Sequence, residues 1–254
     1  MKKIAVILSI MLIPIAISAH DVWVSVDGKP EKGKRLIMQF PSGHTFPASN
    51  GEFVRHEYMA KTYIVQPDGS RMQVVKKSND RYQSVQNLDK EGTYMVVSGK
   101  KWLYWTQTTQ GWKEDVSKTQ VKRPLKGIYS GKFTKSFIST GSESGKAWST
   151  RVGHELEILP QNDPASLEKG DMLVIRVLFK GEPFNGTVFA TYDTYSEKKD
   201  NFALSISKGK KGVYRIPIHN DGKWLIKAGQ KVPKQNDVKC DEVMYSSTIT
   251  FSVK

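Results

Sequence analysis

The sequence predicts an all-β protein, with two immunoglobulin-like β-sandwich domains behind a cleaved export signal. Three observations carry this expectation. Apolar and polar residues alternate with period two in short runs, turn-forming residues separate those runs, and no stretch repeats its apolar residues at helical spacing.

The first element is the signal. Met1, Lys2 and Lys3 give a positive start, Ile4 to Ile17 is apolar apart from Ser9 and Pro14, and Ser18-Ala19 supplies small residues. The run is too short for a hydrocarbon core of roughly 30 Å and suits a cleaved h-region. Residues 1–19 are therefore expected to be removed, making His20 the first mature residue. Ile17, aliphatic where alanine is commoner, leaves a cut one or two residues away open. No cysteine lies near the cut, which argues against a lipid anchor. The expectation is a soluble, exported protein with no transmembrane segment in its mature chain.

Strands follow. Val22 to Val26, Leu36 to Phe40, Thr62 to Val65 and Thr93 to Val97 alternate, with turn signals at Asp27-Gly28, Pro41-Ser42-Gly43, Pro67-Asp68-Gly69 and Lys90-Glu91-Gly92. In the third of these, proline presets φ and glycine accepts a positive one. The stretch "WLYWTQTTQGWKED" (102–115) reads as a strand plus a long turn. A second set of strands opens near Gly153 with "HELEILP", "MLVIRVLFKG" and "EPFNGTVFATYDTY". It continues through "GVYRIPIHNDGKWLIKAGQ" to "VMYSSTITFSVK". Spacing of about ten residues per strand suits a sandwich of about 100 residues. We place an N-terminal β-sandwich domain at 20–145 and a C-terminal one at 150–254. The Ser-, Thr- and Gly-rich stretch 139–153 lies between them.

Composition limits the chemistry. Cys240 is the only cysteine, so no disulfide can form within the chain and no thiolate zinc site can be built. The formal charge is +14, two fewer once Lys2 and Lys3 leave. Such an excess could hold an acidic glycan or a lipid surface. The lysines, however, are scattered beside turns, as in "KGKR" and "KGKKG", where solvated loops and protected strand edges are the ordinary reading. Nucleic acid is not expected as a partner, since no binding motif occurs.

Several stretches resemble a known family. They are the histidine at the cut followed by Asp-Val-Trp, "GHTFP" (43–47), "VGHELEILPQNDPASLEKGDMLVIRVLFKGEPFNGTVFA" (152–190), and the closing "GKWLIKAG" and "MYSSTITFSV". Together they resemble the exported DUF4198 proteins, also described as periplasmic components of cobalt or nickel uptake systems. The resemblance implies two β-sandwiches, a periplasmic location, a divalent-metal role in transport and a membrane metal transporter as partner. The chain departs from it at Gly229-Gln230-Lys231, where a further histidine would be expected.

The histidines carry the candidate chemistry. An amino-terminal histidine offers its α-amine (pKa about 8) and its imidazole Nδ1 to one metal, closing a chelate ring. One more nitrogen completes a T-shaped or square-planar set suited to Cu²⁺ or Ni²⁺. His20 is thus the first candidate ligand and His44, in a loop directly after a strand, the third nitrogen. Asp21 could add an oxygen or orient an imidazole. His56 comes next, because a short loop could return it to His44. The metal would be Ni²⁺, Co²⁺ or Cu²⁺. His154 reads as packing and His219 as turn surface. Trp102, Trp105 and Trp112 cluster as a glycan platform might, though core packing is the commoner role. No nucleophile elbow, zincin or phosphate-loop motif occurs. The expected function is capture of a divalent metal for uptake. The alternatives are a copper-dependent oxidase using the same histidine and a basic glycan-binding or adhesion module.

Overall fold

In the computed structural model the described residues are 20–48, 51–207 and 209–254. The expected signal, residues 1–19, lies outside them. The described residues are all-β, with eighteen strands and four single-turn 3-10 helices. None of those helices is long and apolar enough to cross a membrane.

The chain begins with β1 (Asp21–Val22), β2 (Ser25–Val26), β3 (Ile37–Gln39), β4 (Ser42–Gly43), β5 (Tyr63–Val65), β6 (Arg71–Lys76) and β7 (Arg81–Ser84). Next come the long β8 (Gly92–Thr108), the short β9 (Gly111–Glu114) and the long β10 (Lys126–Thr140). The remainder holds β11 (Leu156–Pro160), β12 (Met172–Phe179), β13 (Glu182–Pro183), β14 (Thr187–Tyr192), β15 (Leu204–Ser207) and β16 (Val213–Pro217). It closes with β17 (Gly222–Pro233) and β18 (Glu242–Val253). The β5–β6 turn forms as its residues dictate. Gly69 takes φ 88°, and Asp68 accepts hydrogen bonds from the backbone N–H and hydroxyl of Ser70.

Twelve strands form one sheet in the order β15-β14-β17-β18-β10-β8-β5-β6-β7-β3-β2, with β9 paired to β8. A second sheet holds β11, β12, β13 and β16, and β1 pairs only with β4. Within the large sheet β10 runs parallel to β18, from Ile128↔Glu242 to Ser136↔Thr250. The expected units 20–145 and 150–254 therefore share a sheet, and of the two cores one lies within residues 22–138 while the other draws on both units.

Side-chain alternation lets one wall serve both cores. Val65, Met95, Val97 and Phe137 point into a core completed by β11, β12, β14, β16, β17 and β18. Their sequence neighbours Ile64, Tyr94, Val96 and Ile138 point into the other, built from residues 22–96 and Ile138. Successive side chains of a strand face opposite ways, so β5, β8 and β10 are buried on both faces over this stretch. That explains the continuous apolar run Tyr94 to Val97.

The β8–β10 pairing carries one irregularity. Ser130 faces Leu103 and Lys132 faces Lys100, which leaves Lys101 and Trp102 opposite Gly131 alone. This is a β-bulge, a device that bends a strand and re-aims its side chains. Gly131 is required there, because the Trp102 indole lies 2.5 Å from where a Cβ would stand.

Candidate metal centre

β1 and β4 pair antiparallel with Asp21 opposite Gly43 and Val22 opposite Ser42. One step further along that register, His20 stands opposite His44. Side chains directly opposite in an antiparallel pair share a face, and the two imidazoles meet edge to face with centroids 4.5 Å apart. A short ribbon thus brings together two histidines with 23 residues between them, needing only two paired residues to set the register.

The ribbon is fixed to the large sheet by β18. Thr248 donates its hydroxyl hydrogen bond to the Val22 carbonyl at 2.6 Å and Thr250 donates to that of Val24 at 3.0 Å. Ser246 donates to Asp21 at 3.2 Å. These three residues occupy alternate positions, hence one face of β18. From β10, the Lys132 ammonium donates to the His20 carbonyl.

Each imidazole has a carboxylate at Nδ1. His44 Nδ1 lies 3.2 Å from Asp200, whose own backbone N–H donates to the His44 carbonyl at 2.8 Å. Asp200 adopts φ 52°, a left-handed conformation that aspartate tolerates better than most residues. His44 and Asp200 are mostly buried, at 17% and 23% exposure. This arrangement holds Nδ1–H toward the carboxylate and leaves Nε2 free to bind, as second-sphere carboxylates do for metal-binding histidines. His20 Nδ1 lies 3.1 Å from Glu52, but there the exposures are 45% and 58%. A contact so exposed contributes at most about 1 kcal/mol and yields readily to a ligand. Burial, then the facing His44, hold the His20 imidazole below its ordinary value, which favours the neutral form that binds metal.

Both rings line a cavity of about 360 Å³. Its floor is one face of the sheet, where Ile128, Ser130 and Lys132 follow one another at alternate positions on β10. Lys100 and Trp105 of β8 and Met244 of β18 complete it, and Trp112 of β9 stands at one side. Lys132 is buried, and burial pushes its ammonium down to about 8 against the pull of Asp21.

The other expected ligands lie elsewhere. Asp21 is buried in an ion pair with Lys227 at 2.6 Å and accepts from Ser246, so both oxygens are engaged away from the imidazoles. Its role is to anchor the ribbon. His56 lies in the turn His56–Tyr58, exposed, with Nδ1 3.0 Å from the Tyr82 hydroxyl, and it does not line the cavity. The loop that was expected to return His56 to His44 returns Glu52 to His20 instead. Among the described residues no group of three or more His, Cys, Asp or Glu gathers as a metal site. Two imidazoles are half of a four-coordinate set.

The aromatic cluster divides. Trp102 packs against Tyr129, Phe133 and Tyr245 in the sheet, whereas Trp105 and Trp112 face the cavity. Compared with known proteins, the chain matches the family model described as a domain of unknown function, DUF4198, over residues 17–232. No curated protein matches it.

Proposed function

The chain belongs to the DUF4198 family, and from that premise we propose that it is a periplasmic protein that captures a divalent transition metal, Ni²⁺ or Co²⁺ and in competition Cu²⁺. The metal is its cargo, released to a membrane transporter. The observation that carries this reading is the His20–His44 pair, two imidazoles 4.5 Å apart on one face of a pinned ribbon, with Asp200 behind His44. His44 binds through Nε2. His20, once it is the first residue, binds through its α-amine and Nδ1, displacing the exposed Glu52. A T-shaped nitrogen set of this kind suits metals that favour square-planar geometry.

The test is isothermal titration of the processed protein, its His20→Ala and His44→Ala variants, and a form that keeps Ala19. Retaining Ala19 turns the amine into an amide and removes that donor while sparing the imidazole. Each of the three altered forms is expected to lose most of the affinity for Ni²⁺. Full affinity with Ala19 in place would show that both rings bind through Nε2 and that the cut beside His20 plays no part. The oxidase alternative draws on the same nitrogen set and on the Trp105–Trp112 wall. Peroxide turnover by the Cu²⁺-loaded protein would favour it.

A further inference from the structure

The lining of the cavity under the histidines is unfavourable for a bare dication, since the nearest carboxylates, Glu52, Asp200 and Glu114, are each engaged by a lining side chain. Among the described residues, its polar lining is His20, His44, Lys100, Lys132, Ser42 and Ser130, with no carboxylate. Lys100 and Lys132 stand directly opposite each other across β8 and β10. Like charges in that position repel. Each is only partly satisfied. Lys100 pairs with Glu114 and lies over the Trp105 ring at 4.7 Å, and Lys132, more than nine-tenths buried, makes one hydrogen bond, to the His20 carbonyl. An ammonium carries three donors, so both retain donors for a ligand. The β-bulge beside Gly131 lies between Ser130 and Lys132, and bulges recur next to binding sites.

Size agrees with charge. The cavity has a volume of about 360 Å³. It lies within the range of small-molecule sites.

We propose that the cargo is a metal already wrapped by a small polycarboxylate. Lys100 and Lys132 hold the carboxylate arms, and His20 and His44 fill the remaining positions on the metal. This inference rests on the His20–His44 reading and supplies what that reading lacks, the donors that two imidazoles and one amine leave open. It also removes the conflict between two lysines and a dication, because the complex arrives with its charge neutralised or reversed.

Equilibrium dialysis of the processed protein with radiolabelled Ni²⁺, radiolabelled citrate and their preformed one-to-one complex tests the inference. From the complex, both labels are expected to be retained in equal amounts, with Ni²⁺ held about tenfold more tightly than as the bare ion, the scale of one charge-assisted hydrogen bond. Lys100→Met should weaken binding of the complex about tenfold and tighten binding of bare Ni²⁺, since a like charge is gone. A general folding defect would weaken both, and circular dichroism of the variant provides the control. Ni²⁺ retained without citrate, at an affinity that citrate does not improve, would overturn the inference and leave the His20–His44 reading intact. Citrate retained equally with and without metal would also overturn it. Retention of metal unaltered by His44→Ala would overturn the reading beneath it.

Discussion

The Asp200 carboxylate stands 3.2 Å from His44 Nδ1, and nothing in the local sequence points to it. His44 could be selected as a ligand from its loop position, but Asp200 lies 156 residues away and enters through a surface turn of the second half. Asp200→Asn keeps the size and one acceptor while removing the charge that orients and polarises the imidazole. Metal affinity is expected to fall between tenfold and a hundredfold with little change in melting temperature. An unchanged titration would mean that Asp200 merely caps the loop. His154 behaves differently. The sequence suggested packing, and the ring does stack on Phe133 at 4.9 Å with Nδ1 unpartnered. Burial pushes it down to about 4 from an ordinary 6.5. The unfolded chain therefore takes up the proton first, and stability falls as pH drops from about 6.5 to about 4, by about 3 kcal/mol in all. His154→Leu should flatten that acid limb in urea unfolding compared at pH 7 and pH 5. A limb of unchanged slope would assign the acid sensitivity to other groups.

At the scale of elements, the strands legible in the sequence were those with apolar alternation. β11, β12, β14, β16, β17 and β18 all fall where "LEILP", "MLVIRVLF", "GTVFATY", "VYRIP", "GKWLIKAG" and "VMYSSTITFSV" placed them. Residues 102–115 are the end of β8 and the β9 hairpin, a strand and a turn as expected, though a tight turn. β10 was not legible. "KGIYSGKFTKSFIST" looks solvated, yet it lies in mid-sheet with Lys132 and Lys135 buried. Lys135 is neutralised by Glu157 at 2.6 Å, a partner that only the fold supplies. The hydroxyl row of β18 has no role that its sequence reveals; in the fold Ser246, Thr248 and Thr250 pin the ribbon. Thr248→Val preserves shape but leaves the buried Val22 carbonyl without its donor, at a cost of about 1–3 kcal/mol. Faster hydrogen exchange across residues 21–25 and weaker metal binding should accompany that loss. Normal exchange with weakened metal binding would rule out the hydroxyl row as the pin.

For the whole molecule, the shared wall decides how it comes apart. Separate sandwiches would unfold separately and be cut first within 139–153. Here β5, β8 and β10 close both cores, and each large side chain on that wall contributes about 1.5–3 kcal/mol by leaving water. Removing either half would expose the wall's other face. A single denaturant transition is therefore expected, with coincident midpoints by tryptophan fluorescence and by far-UV circular dichroism. Two midpoints separated beyond error would restore the independent domains.

The hydroxyl bonds from β18 to the ribbon also have a meaning in time. Thr248 and Val22 are 226 residues apart, and contacts so distant in sequence form late in folding. On the proposed export route, with the chain threaded amino terminus first, His20 and His44 cross long before β18. They stay unassembled until the last strand follows. On the proposed function, metal capture would then be confined to chains delivered whole, because the ribbon that pairs His20 with His44 is pinned by β18.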